Sequence, residues 1–461
     1  MTESTFTAVG LRDELIDNLA SLGYDSMTPI QSQSLPKILA GQDLIAQAKT
    51  GSGKTAAFGL GLLNAIDSDS RAIQALILCP TRELADQVAD ALRKMARLIN
   101  NTRIVTLCGG VPIKGQLISL ENTAHIIVGT PGRIADHLVR ESLDLGQCKT
   151  LVLDEADRML DMGFEPQIDA VLEAIPAANQ RLLFSATFPK EIAKLAEKVM
   201  HDPVMVKVEP QHDEYSIEQH FYQVADEDER LEMVDRLLRH YQPAAAVIFC
   251  NTKREVEAVY QSLQSQRYRV KSLHGDLEQR DRDVTLAMFA NGSVNVLVAT
   301  DVAARGLDID SVDLVINEQI AFEPEVHVHR VGRTGRAGAT GTACTLFSQK
   351  ESFRFDRLKE YLNLDDEAIN ASAARLSQND VRFPELCTVE VSGGKKDKVR
   401  PGDIVGALTA DKTITSDDIG KIQVKPQRTY VAVRLTVIKE AMDLLKHGKI
   451  KGRTFKARRI S

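Results

Sequence analysis

Two segments far apart in this chain carry the residue types that phosphate chemistry requires. Ala48-Lys49-Thr50-Gly51-Ser52-Gly53-Lys54-Thr55 follows the apolar run Leu44–Ala48 and leads into a helical pattern at Ala56-Ala57-Phe58. A loop so placed aims backbone N–H groups and a helix N-terminus at a phosphate. Gly51 and Gly53 allow close approach, and Ala48, Lys49, Thr50 and Ser52 complete the cradle. Lys54 would reach the β- and γ-phosphates of a nucleoside triphosphate and Thr55 would ligate Mg²⁺. The general pattern has Gly where this chain has Ala48, so a chance glycine-rich turn is the competing reading; the preceding strand and the Gly-Lys-Thr argue against it. Asp154 ends the apolar run Leu151-Val152-Leu153, where the second metal-side carboxylate of such NTPases sits. Glu155 is placed to polarise an attacking water as general base.

The second segment is His329-Arg330-Val331-Gly332-Arg333-Thr334-Gly335-Arg336. Arg333 and Arg336 are candidate arginine fingers, worth roughly 10³–10⁵ in turnover when delivered to a transferring phosphoryl group. The first segment has the cradle and the carboxylates but no cation for the developing charge; the second has the cations but no cradle. If one site needs both, two folded units must close on each other before the triphosphate is cleaved. That arrangement describes a motor or switch better than a metabolic enzyme.

The chain of 461 residues, 43% hydrophobic and 26% charged, is long enough for two or three globular domains. No apolar run could span a bilayer as a helix, and Met1-Thr2-Glu3-Ser4-Thr5 does not read as a signal peptide. Six scattered cysteines have neither zinc spacing nor a disulfide pattern, pointing to a reducing cytoplasm. The net charge of −7 is unevenly spread: residues 385–461 hold 17 Lys and Arg against 9 Asp and Glu, while the rest is acidic. A basic tail on an acidic body is expected of a polyanion-binding appendage; a merely solvated surface is the bland alternative.

Near-continuous apolar runs alternate with helical patterns. They are Leu44–Ala48, Ala75–Cys79, Ile104–Cys108, His125–Gly129, Thr150–Asp154 and Arg181–Ser185, then Gln219–Val224, Ala246–Cys250, Arg269–Leu273, Asn295–Thr300, Val312–Asn317 and Gly341–Phe347. Strands of this kind belong to parallel sheets covered on both faces, so two successive doubly wound α/β domains are expected. His201-Asp202-Pro203 and the polar stretch 209–214 mark the boundary between them. A second junction, at about 370–384, would reach roughly 20 Å if flexible. Beyond it, strands at Thr388–Val391, Ile419–Val424, Thr429–Val433 and Phe455–Arg458, with helices at Arg400–Ala410 and Leu435–Lys446, give the β-α-β-β-α-β order of a ferredoxin-like unit.

Asp154-Glu155-Ala156-Asp157 stands among further motifs in fixed order, and together they resemble the DEAD-box RNA helicases. Thr28-Pro29-Ile30-Gln31, after Gly23-Tyr24, is similar to that family's adenine-reading motif, with Phe6 at the spacing of its upstream aromatic. Ala48 is normal in the family's own phosphate loop. Pro80–Ala85, Gly109-Gly110 and Thr130–Arg133 resemble RNA-contact segments, which implies roles for Arg82, Gly110, Thr130 and Arg133. Ser185-Ala186-Thr187, with Asp157, resembles the element coupling hydrolysis to strand separation. Phe249–Thr252, Leu273–Asp276 with Gln279 and Arg282, and Ala299–Asp308 match in turn, implying RNA contacts at Asn251, Gly275 and Thr300 and a ribose contact at Asp308. The resemblance covers Phe6 to about Phe347. It implies two tandem RecA-like doubly wound parallel-sheet domains (1–209 and 210–370), a linker (371–384) and a small C-terminal α+β RNA-recognition-like domain (385–461). It also implies an ATP- and Mg²⁺-dependent, RNA-stimulated helicase that opens short duplexes locally and non-processively.

Residues 385–461 resemble the C-terminal module of the DbpA subgroup, through Ser392–Lys396, Arg400–Asp403 and Gly448–Gly452. Members bind a 23S ribosomal RNA hairpin and act in large-subunit assembly, so a cytoplasmic, monomeric protein with that partner is expected. An RNA-recognition sheet ordinarily offers two or three stacking aromatics; Arg428–Val433 offers only Tyr430. Stacking on Tyr430 is one reading and a strand residue packed on a neighbour is the other. Lys395, Lys396, Lys398, Arg400, Lys449, Lys451 and Arg453 would supply phosphate contacts. Two other functions use the same residues: an ATP-gated RNA clamp with little unwinding, and a DNA translocase on the same α/β core.

Overall fold

The computed structural model describes residues 5–48, 51–122, 124–177, 179–208, 217–304, 312–335, 341–364 and 376–460. The chain divides into two compact units, one ahead of residue 214 and one following it. The first is built on seven strands: β1 (Leu44–Gln47), β2 (Ala75–Leu78), β3 (Ile104–Leu107), β4 (Ile126–Gly129), β5 (Thr150–Asp154), β6 (Gln180–Ser185) and β7 (Val204–Lys207). Their order is β3-β4-β2-β5-β6-β1-β7, and every pairing is parallel. Successive side chains of a strand point to opposite faces. Ile77 and Phe184 therefore enter the core that contains Phe58, while Leu76, Leu78 and Leu183 enter the one that contains Met159. Burial on both faces is why these strands read as unbroken apolar runs.

The edge strand β7 has no such signature. Only Val206 is buried along it, and it follows the Asp202-Pro203 turn that marks a boundary in the sequence. Its apolar content is too short and too one-sided to stand out.

The second unit contains β8 (Ile217–Val224), β9 (Ala246–Cys250), β10 (Val270–Leu273), β11 (Val296–Thr300), β12 (Leu314–Asn317) and β13 (Gly341–Ser348). The order is β10-β11-β9-β12-β13-β8, again parallel throughout. One face is closed by an aliphatic core around Ile248, Val298 and Leu346. A smaller aromatic cluster contains Phe221, Phe347 and Phe355, with the last two rings stacked at 4.2 Å.

The same unit carries an antiparallel sheet of β14 (Leu386–Val391), β15 (Ile419–Val424), β16 (Thr429–Arg434) and β17 (Ala457–Ile460), ordered β15-β16-β14-β17. The chain thus has two RecA-like parallel-sheet folds and a small C-terminal α+β fold. Val389, Val391, Val431 and Val433 face the helices Pro401–Leu408 and Ile438–His447. The alternate residues Thr388, Glu390, Tyr430 and Ala432 are also buried. Their cover includes the helix Gln279–Ala290 and the turn after it. Asn291 Nδ2 donates to Thr388 Oγ1 at 2.9 Å, and Thr388 Oγ1 donates to Ser293 Oγ at 2.9 Å. Glu390 is bonded by Arg428 and by Arg458 Nε at 2.7 Å, with Arg280 at 3.9 Å. Burial opposes the Glu390 charge, but the Arg428 and Arg458 guanidiniums outweigh it and hold the carboxyl below its usual range.

Residues 376–384 also lie along the second parallel-sheet fold. His240 shares a hydrogen bond with Ser377, Arg382 donates to the Gln242 carbonyl at 2.7 Å, and Asn295 donates to the Arg382 carbonyl at 3.2 Å. This part of the junction is a packed strap instead of a free tether.

The Asn291–Thr388–Ser293 network is fully buried, and breaking such a network costs about 1–3 kcal/mol per orphaned group. Asn291→Ala should therefore lower chemical-denaturation stability by that amount and raise amide hydrogen exchange across Thr388–Val391. Unchanged exchange there would show that the two folds do not depend on this interaction.

Candidate active site and nucleic-acid interface

In the first unit β1, β6 and β5 are neighbours, so their parallel direction brings three loops to one edge. The phosphate-loop residues follow β1, Ser185 ends β6, and Asp154 ends β5. Gly51 and Gly53 have φ of 84° and 95°, a left-handed region that glycine enters without strain. Lys54 is buried at the start of the helix Lys54–Ala65 and donates to the Ala48 carbonyl at 2.9 Å. Ala48 N donates to the Ser185 carbonyl at 3.1 Å, tying the loop to the neighbouring strand. Thr55 lies in the first turn of the same helix. Lys49 and Thr50 fall outside the described residues.

Thr28 and Gln31 form a capping box at the helix Pro29–Leu39 and latch onto the phosphate loop. Gln31 Oε1 accepts from Thr28 N at 2.9 Å, Gln31 Nε2 donates to the Gly53 carbonyl at 3.2 Å, and Thr28 Oγ1 donates to the Ser52 carbonyl at 2.8 Å. The Thr28 latch does not stand out from sequence, although Thr-x-x-Gln before a helix is its signature. Phe6 is 4% exposed and packs edge-to-face with Tyr24, ring centroids 6.3 Å apart.

Asp154 is 3% exposed, and its Oδ1 is buried without a hydrogen-bond partner. Burial pushes its carboxyl up to about 7, against the opposing pull of Lys54. A carboxylate oxygen left orphaned at such a cost is what a cation-binding position requires. Among the described residues no cluster of three or more His, Cys, Asp or Glu could hold a metal.

Glu155 adopts φ 54°, an uncommon and costly conformation for a side chain of its size. It caps the helix Ala156–Asp161, and its Oε2 accepts from Arg158 at 2.7 Å in a buried pair. Arg158 is a second residue that the sequence alone does not single out; its signal is the i,i+3 spacing from Glu155. Asp157 reaches the other way. Its Oδ2 accepts from Thr187 N at 3.0 Å and Thr187 Oγ1 at 2.9 Å, while Ser185 Oγ donates to the Thr187 carbonyl at 2.6 Å. The structure thus joins Asp157, Ser185 and Thr187 in one network beside Asp154 and Glu155.

The other half of this edge carries the candidate RNA-contact loops. β3, β4 and β2 are adjacent and lead to Gly110, Thr130 and Arg82. Thr130 Oγ1 accepts from Gly109 N at 3.3 Å, and Arg133 donates to the Val111 carbonyl at 3.1 Å. One guanidinium nitrogen of Arg82 and one of Arg133 are buried without a protein acceptor.

In the second unit Asn251, Gly275 and Thr300 end or follow β9, β10 and β11, again three adjacent strands. Arg330, 1% exposed, ties the ends of β9 and β11 together. It donates to Asp301 at 2.6 and 2.7 Å, to Asn251 Oδ1 at 2.7 Å and to the Gln319 carbonyl at 3.0 Å. Arg330 is therefore a structural clamp, indistinguishable by type from its neighbours in the sequence. Arg333 is 4% exposed and is not without a partner. Asp308 and Arg336 lie outside the described residues.

In the C-terminal fold Tyr430 is 2% exposed. Burial, with the Glu390 and Asp283 carboxylates, pushes its hydroxyl up to about 12. It offers no open ring for a base, so of the two readings packing on a neighbour holds, under the helix Gln279–Ala290. The expected phosphate-contact residues Lys395, Lys396, Lys398, Arg400, Lys449, Lys451 and Arg453 are all exposed. Lys451 Nζ donates to the Lys398 carbonyl at 3.2 Å, and Lys395 N donates to the Lys425 carbonyl at 2.9 Å. Three turns thus gather these cations at one end of the fold.

The family models matched are DEAD/DEAH box helicase over residues 28–195, helicase conserved C-terminal domain over 229–338, and DbpA RNA binding domain over 388–459. The ATP-dependent RNA helicase DbpA of Escherichia coli (strain K12) is 52% identical over 447 residues, 96% of each chain. The DEAD-box ATP-dependent RNA helicase CshA of Bacillus cereus (strain ATCC 10987) is 45% identical over 76% of this chain and 66% of its own. Among solved structures, S. cerevisiae Dbp5 bound to RNA and ADP BeF3 matches with a TM-score of 0.70 at 31% identity, covering 78% of this chain and 94% of that one.

A Cβ added at Gly53 would lie 2.5 Å from Gln31 Nε2 and 3.0 Å from Thr28 Oγ1. Gly53→Ala should combine left-handed strain of roughly 1–2 kcal/mol with loss of the Gln31 latch. Nucleotide affinity, measured by calorimetry, should fall ~10-fold or more; unchanged affinity would show that the latch does not shape the loop.

Proposed function

The chain belongs to the DEAD-box ATP-dependent RNA helicases of the DbpA type, RNA-stimulated ATPases that carry their own RNA-binding domain, and from that premise we propose how it works and on what. ATP binds the first unit, with Gln31 reading adenine, Phe6 packing beside it and the loop 48–55 holding the phosphates. Asp154 and Thr55 would hold Mg²⁺, which when bound neutralises phosphate charge. Glu155 takes a proton from the attacking water. Arg333 and Arg336 of the second unit stabilise the charge that develops on the γ-phosphoryl group, and Asp308 contacts the ribose. For Arg333 this means giving up its packed position.

The observation that carries this reading is the hydrogen-bonded chain from Ala48 through Ser185 and Thr187 to Asp157. It links the ATP loops to each other on the same sheet edge as Arg82, Gly110, Thr130 and Arg133. Support for RNA binding comes from the relative solved with RNA and ADP BeF3. Holding one strand bent would open a duplex locally. Each base-pair step opened costs roughly 1.4 kcal/mol by DNA stacking values, so a clamp worth several kcal/mol melts a few pairs and then releases them.

The basic turns of the C-terminal fold target the enzyme, and its RNA is proposed to be a 23S ribosomal RNA hairpin in assembling large subunits. Backbone contacts by the core position without specifying, so selection must come from these turns and from RNA shape. Six free, buried cysteines support a reducing cytoplasm as the site of action.

Glu155→Gln should reduce RNA-stimulated ATP turnover by about 10²–10⁴ while ATP and RNA binding persist; undiminished turnover would remove the general base from the scheme. Neutralising Lys395, Lys396, Lys449 and Lys451 together should abolish preference for the hairpin and flatten the log–log salt dependence by roughly 0.7 for every phosphate no longer neutralised. Retained preference would place recognition elsewhere. A short duplex beside the hairpin separates helicase from clamp: ATP-dependent strand release supports the first, stable retention the second.

A further inference from the structure

We propose that the cleft between the β10 edge of the second parallel sheet and strands β14 and β17 of the C-terminal sheet binds single-stranded RNA through its backbone. The proposal rests on the reading that this chain acts on RNA, and assigns a site apart from the loops described above.

The cleft encloses about 470 Å³. Arg267, Arg269, Lys271 and Arg459 line it, and among the described residues no carboxylate does. Arg267, Arg269 and Arg459 are exposed. The arginines come from both sides: Arg267 and Arg269 precede β10, and Arg459 lies on β17. Arg269 and Arg459 lie on either side of Cys387, whose thiol is pushed up by burial while these two pull it down. The chain as a whole is acidic, so four cations without a carboxylate are a local departure from its composition.

The same cleft carries exposed apolar surface. Phe383 is 54% exposed and Leu435 37%, and the Tyr260 ring lines the wall, its hydroxyl accepting from Gln264 at 2.9 Å. Cations that track a backbone, beside rings on which bases stack, are how single strands are held without sequence preference. A folded duplex would offer these rings no free base.

Its position gives the site a use. β10 runs from Val270 to Leu273, so one end leads to Gly275 at the candidate RNA loops while the other carries Arg269 into the cleft. At about 3.3 Å per residue the strand covers a short distance. A strand leaving the loops could follow this edge toward the C-terminal fold, which would give the packed junction a role in guiding RNA.

The test uses the full chain and a fluorescein-labelled dodecamer of uridine, with binding followed by anisotropy over a salt series without nucleotide. Arg269→Glu with Arg459→Glu should weaken binding at least ~5-fold and reduce the log–log salt slope by roughly 1.4, two phosphates at 0.7 each. Arg269→Lys with Arg459→Lys should restore most of the affinity, excluding a folding defect as the cause. A 4-thiouridine dodecamer should crosslink to the Tyr260 or Phe383 region. Equal binding by wild type and the glutamate variant would overturn the cleft while leaving RNA binding by the chain intact. No binding by wild type would overturn the cleft and count against RNA binding by the chain.

Discussion

Parallel pairing forces every strand of a sheet to end on the same edge, and the chemistry of this chain depends on that constraint. In the first unit the loops after β1, β6 and β5 bring the phosphate cradle, Ser185 and Asp154 together, although the cradle precedes the other two by roughly a hundred residues or more in sequence. The loops after β3, β4 and β2 bring three candidate RNA-binding residues to the other half of the same edge. Nothing in the loops themselves requires this neighbourhood; it comes from sheet order and strand direction. The second unit repeats it, with Arg330 buried as the fastener that holds Asn251, Asp301 and the Gln319 carbonyl at one place.

Within the first edge the links are short and polar. Asp157 accepts two hydrogen bonds from Thr187 while the adjoining Glu155 sits in a left-handed conformation held by a buried pair with Arg158. Strain at a candidate base persists only where its surroundings over-determine it. These ties run from the phosphate loop to Ser185 through the backbone and on to Thr187 through the Ser185 hydroxyl. The C-terminal fold follows a different logic. Its sheet spends one face on its own helices and the other on the helix Gln279–Ala290 and the turn after it, so the RNA recognition proposed for this fold falls to its turns and to the seam.

Much of this is legible in the sequence because the signals are local. A Gly-rich loop between an apolar strand and a helix, a carboxylate closing another apolar strand, and a fixed series of motifs need no tertiary knowledge. The strands buried on both faces announce themselves as apolar runs, and β7, half-exposed at an edge, does not. What the sequence cannot show is pairing across distance. Tyr430 reads as a surface aromatic on a recognition sheet because its cover, the helix Gln279–Ala290, lies about 140 residues earlier. Arg158 and Arg330 look like neighbouring surface arginines, and only burial reveals them as clamps. The strap at 376–384 reads as a polar linker, yet its hydrogen bonds to His240, Gln242 and Asn295 are long-range.

In the proposed mechanism carboxylates of the first unit and guanidinium groups of the second flank one triphosphate. The direct measurement is a structure of the full chain trapped with ADP–beryllium fluoride and RNA. Arg333 should then have left its buried position, with its guanidinium within about 2.7–3.2 Å of the terminal phosphoryl mimic held by Lys54 and Thr55. A closed complex in which Arg333 keeps its present packing, remote from that group, would contradict the shared site.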